Sequence, residues 1–251
     1  MEQMTSMPFY LDWSFWAVIV AAIAIILSQL PPIHIIVRRA KIEMELYSRI
    51  LVTHKVGNPN IQLHLILTNV GGRSVRIRSI SLSLKRDGKE IGVLPAQNYL
   101  ENPNDKTNVL LTSFELKSKD EWAHIVNFLN YFSRTDEKKY RNAEVLLKND
   151  IQSKRILPDN KDRLVEADSK NVTALLEMFN EKFVWFPGDY ELSVLAMTSD
   201  KKVNALKNYR FTLFESDSSE LSKVKDDYKL GDGIYWNSEN HPGVILQITG
   251  A

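Results

Sequence analysis

Cysteine is absent from the 251 residues. That one absence excludes disulfides, zinc–thiolate sites and cysteine nucleophiles together. An excess of charge of either sign is missing as well: the formal net charge is +1. Phosphate-backbone binding rests on concentrated Lys and Arg, so nucleic acid is not an expected partner. No internal repeat and no low-complexity tract interrupts the chain. What is present is ordinary for a folded protein, at 44% hydrophobic and 25% charged residues, and the length suffices for one large domain or two small ones.

One stretch lacks charge altogether. From Trp13 to Leu30 the chain reads WSFWAVIVAAIAIILSQL. As a helix this run rises about 27 Å, close to the hydrocarbon thickness of a bilayer. A core helix of a soluble domain usually keeps a polar face, and this run has none. Tyr10, Trp13 and Trp16 gather at one end, where amphipathic rings favour the headgroup interface. Ile19, Ile23, Ile26 and Leu30 continue the apolar surface, and Pro31-Pro32 oppose further helix. A cleaved signal peptide needs a basic leader, but residues 1–12 carry only Glu2 and Asp12 as charges. The expectation is an uncleaved transmembrane helix over 13–30, with a short extracytoplasmic tail at 1–12.

Direction follows from the flanks. No Lys or Arg precedes the run, whereas Arg38, Arg39 and Lys41 follow it. The positive-inside rule then puts the C-terminal part in the cytoplasm, giving a single-pass protein of the cell membrane. Residues 33–41 read as a juxtamembrane linker.

Beyond the linker the pattern turns to short alternating runs. Ile42–Val52 alternates imperfectly and suits a strand or a pair of strands. In Ile61–Asn69 the apolar residues Ile61, Leu63, Leu65 and Leu67 share a face, and Gly71-Gly72 then marks a turn. Ser74–Leu84 begins with Val75 and Ile77 on one face but ends with Ile80, Leu82 and Leu84, which implies a bulge near Ser79. Arg86-Asp87-Gly88-Lys89 is a hairpin turn. Pro95 to about Lys106 reads as a loop, and Asn108–Leu116 as a strand. The run at 122–132 fits helix or strand, with its β surroundings favouring strand.

Helix formers follow. Ser133 is an N-cap, and Tyr140, Ala143, Leu147 and Ile151 make one stripe of a helix over about Thr135–Lys154. Ser169 is expected to cap a second helix striped by Val172, Leu175, Leu176, Phe179 and Phe183. Both stripes are expected to pack on the strands, as is the aromatic stretch Phe179–Tyr190, any exposed part of which would suggest a protein contact. Strands return at Tyr190–Met197 and Tyr209–Phe214, and a short polar helix near Ser218–Tyr228 leads into a tail. The resulting division is a β domain over 42–215, with a two-helix insert at about 133–186 and a C-terminal helix and tail at 216–251.

The segment FPGDYELSVLA resembles the penultimate strand of immunoglobulin-like β-sandwiches, where Pro-Gly-x-Tyr precedes an alternating strand. LILTNVGGRSVRIRSISL is similar to an early strand-turn-strand of the same folds. The resemblance implies a mainly β protein, an immunoglobulin-like sandwich of about seven short strands behind a transmembrane helix. It implies no function, because unrelated sandwiches share these motifs. The missing Cys pair and the helical insert depart from antibody-type domains.

Catalytic signatures are missing. The histidines His34, His54, His64, His124 and His241 show no metal-ligand spacing. Asp159, Asn160, Asp162, Glu166 and Asp168 are interleaved with Lys161 and Arg163 and lack the loop Gly of a calcium site. Gly72-Arg-Ser74-Val-Arg76 lacks the second Gly of a nucleophile elbow, and Asp87-Gly-Lys89 lacks the frame of a phosphate loop. No cofactor, metal, small-molecule substrate or enzymatic activity is expected. The basic residues Arg73, Arg76, Arg78, Lys85 and Arg86 concentrate in one predicted hairpin, a solvated strand face or a surface for anionic headgroups or an acidic partner. The leading expectation is a tethered binding or scaffold module, a subunit or accessory of a membrane-associated complex that meets the bilayer and a protein partner or its own copy. An extracytoplasmic ligand-binding domain on an N-in anchor, and an enzyme with a scattered site, are the alternatives.

Overall fold

Alternation of apolar and polar residues governs the middle of the chain, and it becomes sheet. The computed structural model describes residues 13–29, 38–102, 105, 107–157, 163–237 and 242–250. Among the described residues eleven strands make one antiparallel sheet: β1 Ile42–Lys55, β2 Asn58–Asn69, β3 Val75–Arg86, β4 Lys89–Leu100, β5 Val109–Leu110, β6 Phe114–Leu116, β7 Glu121–Leu129, β8 Gly188–Thr198, β9 Ala205–Leu213, β10 Gly243–Gln247 and β11 Thr249–Gly250. Their order is β10-β1-β2-β7-β4-β3-β8-β9-β11, with β5 beside β4 and β6 beside β3. β10 and β11 are one C-terminal run broken only at Ile248. β10 pairs with β1 and β11 with β9, so the two ends of the order meet and the sheet is nearly closed around its core.

Local chemistry sets the register. The buried face of β2 is Ile61, Leu63, Leu65 and Leu67. In β3 the buried set shifts from Val75 and Ile77 to Ile80, Leu82 and Leu84 across a register break between Ile77 and Ser79, the expected bulge. Imperfect alternation in β1 has the same cause, a break between Leu46 and Ile50. Asp87 (φ 49°) and Gly88 (φ 76°) supply the two positive φ angles of a tight hairpin turn. Residues 121–129 are strand β7, flanked by β2 and β4.

Two expectations about this region fail. The loop expected from Pro95 is the second half of β4. Up to Pro95 this strand pairs with β3, and from Ala96 it pairs with β7. Pro95 has no N–H to give a ladder, and it stands where the partner changes. The single strand expected over Asn108–Leu116 is divided into β5 and β6.

Helices cover one end of the sheet. α1 is Trp13–Gln29, α2 Arg134–Arg155, α3 Ser169–Lys182 and α4 Glu215–Lys223, the last continued by a 3-10 turn over Val224–Leu230. Ser133 Oγ accepts from Asp136 N–H at 3.1 Å and caps α2. The α2 stripe Tyr140, Ala143, Leu147 and Ile151 is buried, and so are Val172, Leu175, Phe179 and Phe183 at α3. Ser169 is not the cap of α3. That position belongs to Asp168, whose carboxylate is turned to Lys154 Nζ at 2.7 Å instead. The C-terminus of α3 rests on the β1–β2 turn, where a Cβ on Gly57 (φ 80°) would lie 2.5 Å from the Phe179 carbonyl oxygen. Trp185 Nε1 donates to Thr53 O at 2.9 Å, and Ser218 Oγ to Trp185 O at 2.7 Å, tying both helical segments to β1.

The expectation for the C-terminal end also needs correction. The stretch 216–251 is more than a helix and tail, since 243–250 completes the sheet. Among the described residues no helix is long and apolar enough to cross a membrane. α1 has 17 residues and stops at Gln29, short of the expected span to Leu30. Leu30, Pro31-Pro32, the tail at 1–12 and residues 33–37 of the linker lie outside the described residues.

Candidate functional site

α1 presents apolar side chains on every side. Trp13, Trp16, Val18, Val20, Ile23, Ile25, Ile26 and Leu27 are all exposed, and Ile19 is half-buried. The buried core of the sheet and helices includes no residue of α1. Neither end of the helix carries an acidic or basic residue, and the Ser28 hydroxyl is absorbed by the Ile25 carbonyl at 2.7 Å.

The next described residues, Arg38 to Lys41, lie against the sheet end away from α2, α3 and α4. Their anchor point is Asn69, which is fully buried at the end of β2. Asn69 Nδ2 donates to Arg73 O at 2.9 Å and Leu116 O at 3.1 Å, and its Oδ1 accepts from Gly71 N–H at 3.0 Å. Asn69 N–H donates to Asp120 O, and Asn69 O accepts from Lys119 N–H. Val70 N–H and Gly72 N–H donate to Lys41 O and Arg39 O, and a Cβ on Gly71 would collide with the Arg39 carbonyl. Three loops, at 38–41, 70–74 and 116–120, are therefore stitched together around one amide. Ser118 Oγ closes the set by donating to Gly71 O at 2.7 Å.

These loops carry exposed cations. Arg38, Arg39, Lys41, Arg73, Lys117 and Lys119 are all exposed, and Asp120 is the one carboxylate within the three segments. Lys41 also pairs with Glu43 at 2.7 Å.

The basic hairpin expected from sequence is divided by its own length. From Arg76 to Lys85 the strand β3 runs about 30 Å. Arg73, Arg76 and Arg78 stand toward the end shared with Arg38 and Arg39, while Lys85 and Arg86 stand at the opposite end. Arg76 Nε donates to Ser113 Oγ at 3.2 Å. Arg86 is half-buried, packs over the Phe186 ring at 5.1 Å and lies 3.7 Å from Asp87. Lys117 and Lys119 escaped sequence reading, because nothing local connects them to residues more than 40 positions earlier. The connecting signal is Asn69, a polar residue ending an otherwise apolar strand face.

Among the described residues, no other part of the surface assembles a catalytic set. A groove of about 980 Å³ lies along β8, β9 and the C-terminal strand, and its acidic side chains serve the fold. Asp189 accepts from Thr212 Oγ1 at 2.7 Å, Asp217 accepts from Phe214 N–H at 3.1 Å, and Glu191 faces Arg210 at 3.4 Å. No group of three or more His, Asp or Glu residues capable of holding a metal occurs among the described residues. His54 is buried, with Nε2 2.7 Å from Leu221 O and Nδ1 accepting from Gly57 N–H at 3.1 Å. It is a structural joint between β1 and α4. Of the acidic loop, Glu166 pairs with Lys229 and Asp168 with Lys154, both at 2.7 Å; Asp159, Asn160 and Asp162 lie outside the described residues, as do His34 and His241. Burial pushes the Tyr140 phenol up to about 12 and raises that of Tyr228, so both remain neutral core groups. The aromatic stretch is core at Phe179, Phe183, Trp185 and Tyr190, whereas Phe186 is exposed.

No family model and no curated protein matches the chain.

Proposed function

We propose that the chain is a membrane-anchored binding or scaffold module, an immunoglobulin-like domain held at the bilayer by α1 and facing the cytoplasm. The observation that carries this reading is the all-round exposure of the α1 side chains. So much apolar surface on one helix is unfavourable in water at roughly 25 cal/mol per Å², and the core is complete without it. At 17 residues the described helix is about 26 Å long, by itself short of a full span. The uncharged sequence continues through Leu30, and Trp13 and Trp16 suit one interface. The strand order supports the immunoglobulin-like reading: β1-β2-β7 and β3-β8-β9 are two groups of three, with β4 passing from one to the other. A tether raises the local concentration of a weak binding surface, which suits an accessory subunit.

Alkaline carbonate extraction of membranes from cells making the full chain tests the anchor. Retention in the pellet is expected, and release to the supernatant would overturn it. Because the chain lacks cysteine, single cysteines introduced at exposed positions report topology. Lys89→Cys is expected to resist a membrane-impermeant maleimide in intact cells and to react after permeabilisation. Labelling in intact cells would favour the extracytoplasmic alternative.

A further inference from the structure

The sheet end built around Asn69 is a lipid-facing surface, we infer: the loops at 38–41, 70–74 and 116–120 lay their cations on the anionic headgroups of the membrane that holds α1. This deepens the anchored reading and rests on it. Distance is the first argument. Nine residue steps separate Gln29 from Arg38, at most about 32 Å of extended chain. Whatever path that chain takes, the sheet end that receives Arg38 cannot leave the neighbourhood of the bilayer.

Charge is the second argument. Arg38, Arg39, Lys41, Arg73, Lys117 and Lys119 are exposed together with Asp120 among them, and Glu43, Glu115 and Glu121 flank the loops, Glu43 paired with Lys41, so cations remain in excess. The hydrogen bonds of Asn69, with those from Val70 and Gly72 N–H to Lys41 O and Arg39 O, hold the three loops as a unit, so the cations are presented without a further ordering cost. The hairpin end at Asp87, at the far end of β3, borders the groove that also bears Asp189, Glu191 and Asp217. An anionic surface attracts the first end, whereas the far end is mixed in charge, with Lys85, Arg86, Lys89 and Arg210 beside those carboxylates, so the attraction favours the Asn69 end. Cytoplasmic leaflets carry the anionic lipid, which agrees with the proposed topology.

The test uses the full chain reconstituted into phosphatidylcholine vesicles with and without phosphatidylglycerol. A fluorophore is placed at Ser74→Cys in the β2–β3 loop or, as control, at Lys89→Cys in the β3–β4 turn, and energy transfer to a headgroup-bound acceptor is read. Transfer from the Ser74→Cys probe is expected to rise several-fold when phosphatidylglycerol is present and to fall back in high salt, while the Lys89→Cys probe stays low. Adding Arg73→Glu and Lys117→Glu is expected to abolish the rise, with near-UV circular dichroism unchanged because both side chains are exposed. Vesicle flotation separates the two possible failures. Protein that does not float overturns the anchor itself, whereas floating protein whose Ser74→Cys signal ignores phosphatidylglycerol overturns the lipid-facing surface alone.

Discussion

Asn69 makes more structure per atom than any apolar neighbour on β2. It is fully buried, and its side chain makes three hydrogen bonds that join the end of β2 to the β2–β3 loop and to β6. A buried amide leaves unpaired backbone groups behind when it is removed, and each such group costs about 1 kcal/mol or more. Asn69→Leu, similar in volume, is therefore expected to lower unfolding stability by about 3 kcal/mol, read from urea denaturation of the detergent-solubilised chain. It should also loosen the loops at 70–74 and 116–120, visible as faster amide exchange there. A loss below 1 kcal/mol, with exchange unchanged, would show that the three loops do not depend on this residue. Sequence reading placed Asn69 at a strand end and saw nothing further, because the partners of a buried amide come from loops distant in sequence. His54 was equally silent: its imidazole bridges Gly57 and Leu221, contacts that no spacing rule encodes.

Elements were legible where one period dominated. α2 follows directly from its cap at Ser133 and its four-residue stripe, and β2 from its strict alternation. α3 lies where its stripe predicts, but its N-cap is Asp168 rather than Ser169, and that carboxylate, paired with Lys154, leaves the first turn to other groups. Beside the shared core and the Asp136–Lys182 pair at 2.9 Å, Asp150 on α2 links these two helices. Its Oδ2 accepts from Asp168 N–H at 2.6 Å and Asn171 Nδ2 at 3.0 Å, and Lys154 Nζ sits 3.3 Å away. The carboxylate thus meets the positive end of α3. Hydrogen bonding from the Asp168 backbone, then from Asn171 and Lys154, holds its pKa below the usual carboxylate value against a smaller opposing cost of burial. A depressed folded-state pKa stabilises the fold above the ordinary carboxylate range, and that contribution is lost as pH falls through the folded-state value. Asp150→Asn is accordingly expected to lower Tm at neutral pH and to bring the variant and the parent together in strong acid. A difference in Tm that stays constant down to low pH would remove the charge from the explanation.

Closure of the sheet is a property of the whole molecule, and it was illegible because it pairs strands nearly 200 residues apart in sequence. Read locally, Gly243 to Gly250 is a short run between glycines after Pro242, which looks like a tail. In place it lies between β1 and β9, with Leu246 and Ile248 buried and Ile248 N–H donating to Ser48 O at 2.8 Å. Without it, both neighbours would present an open edge, the arrangement that invites strand pairing between molecules. Each buried aliphatic side chain stabilises by roughly 1.5–3 kcal/mol, so the pair contributes about 3–6 kcal/mol against a typical domain stability of about 5–15 kcal/mol. Ending the chain after Asn237 is therefore expected to leave a domain that aggregates on solubilisation, seen as loss of the monodisperse peak in size-exclusion chromatography. Ile248→Asp should be milder, keeping the ladder but placing a charge in the core, and should shift the urea midpoint without aggregation at low concentration. The two variants separate the ladder from the core. If truncation leaves a monodisperse domain of unchanged urea midpoint, the C-terminal strand only covers the sheet and does not hold it closed.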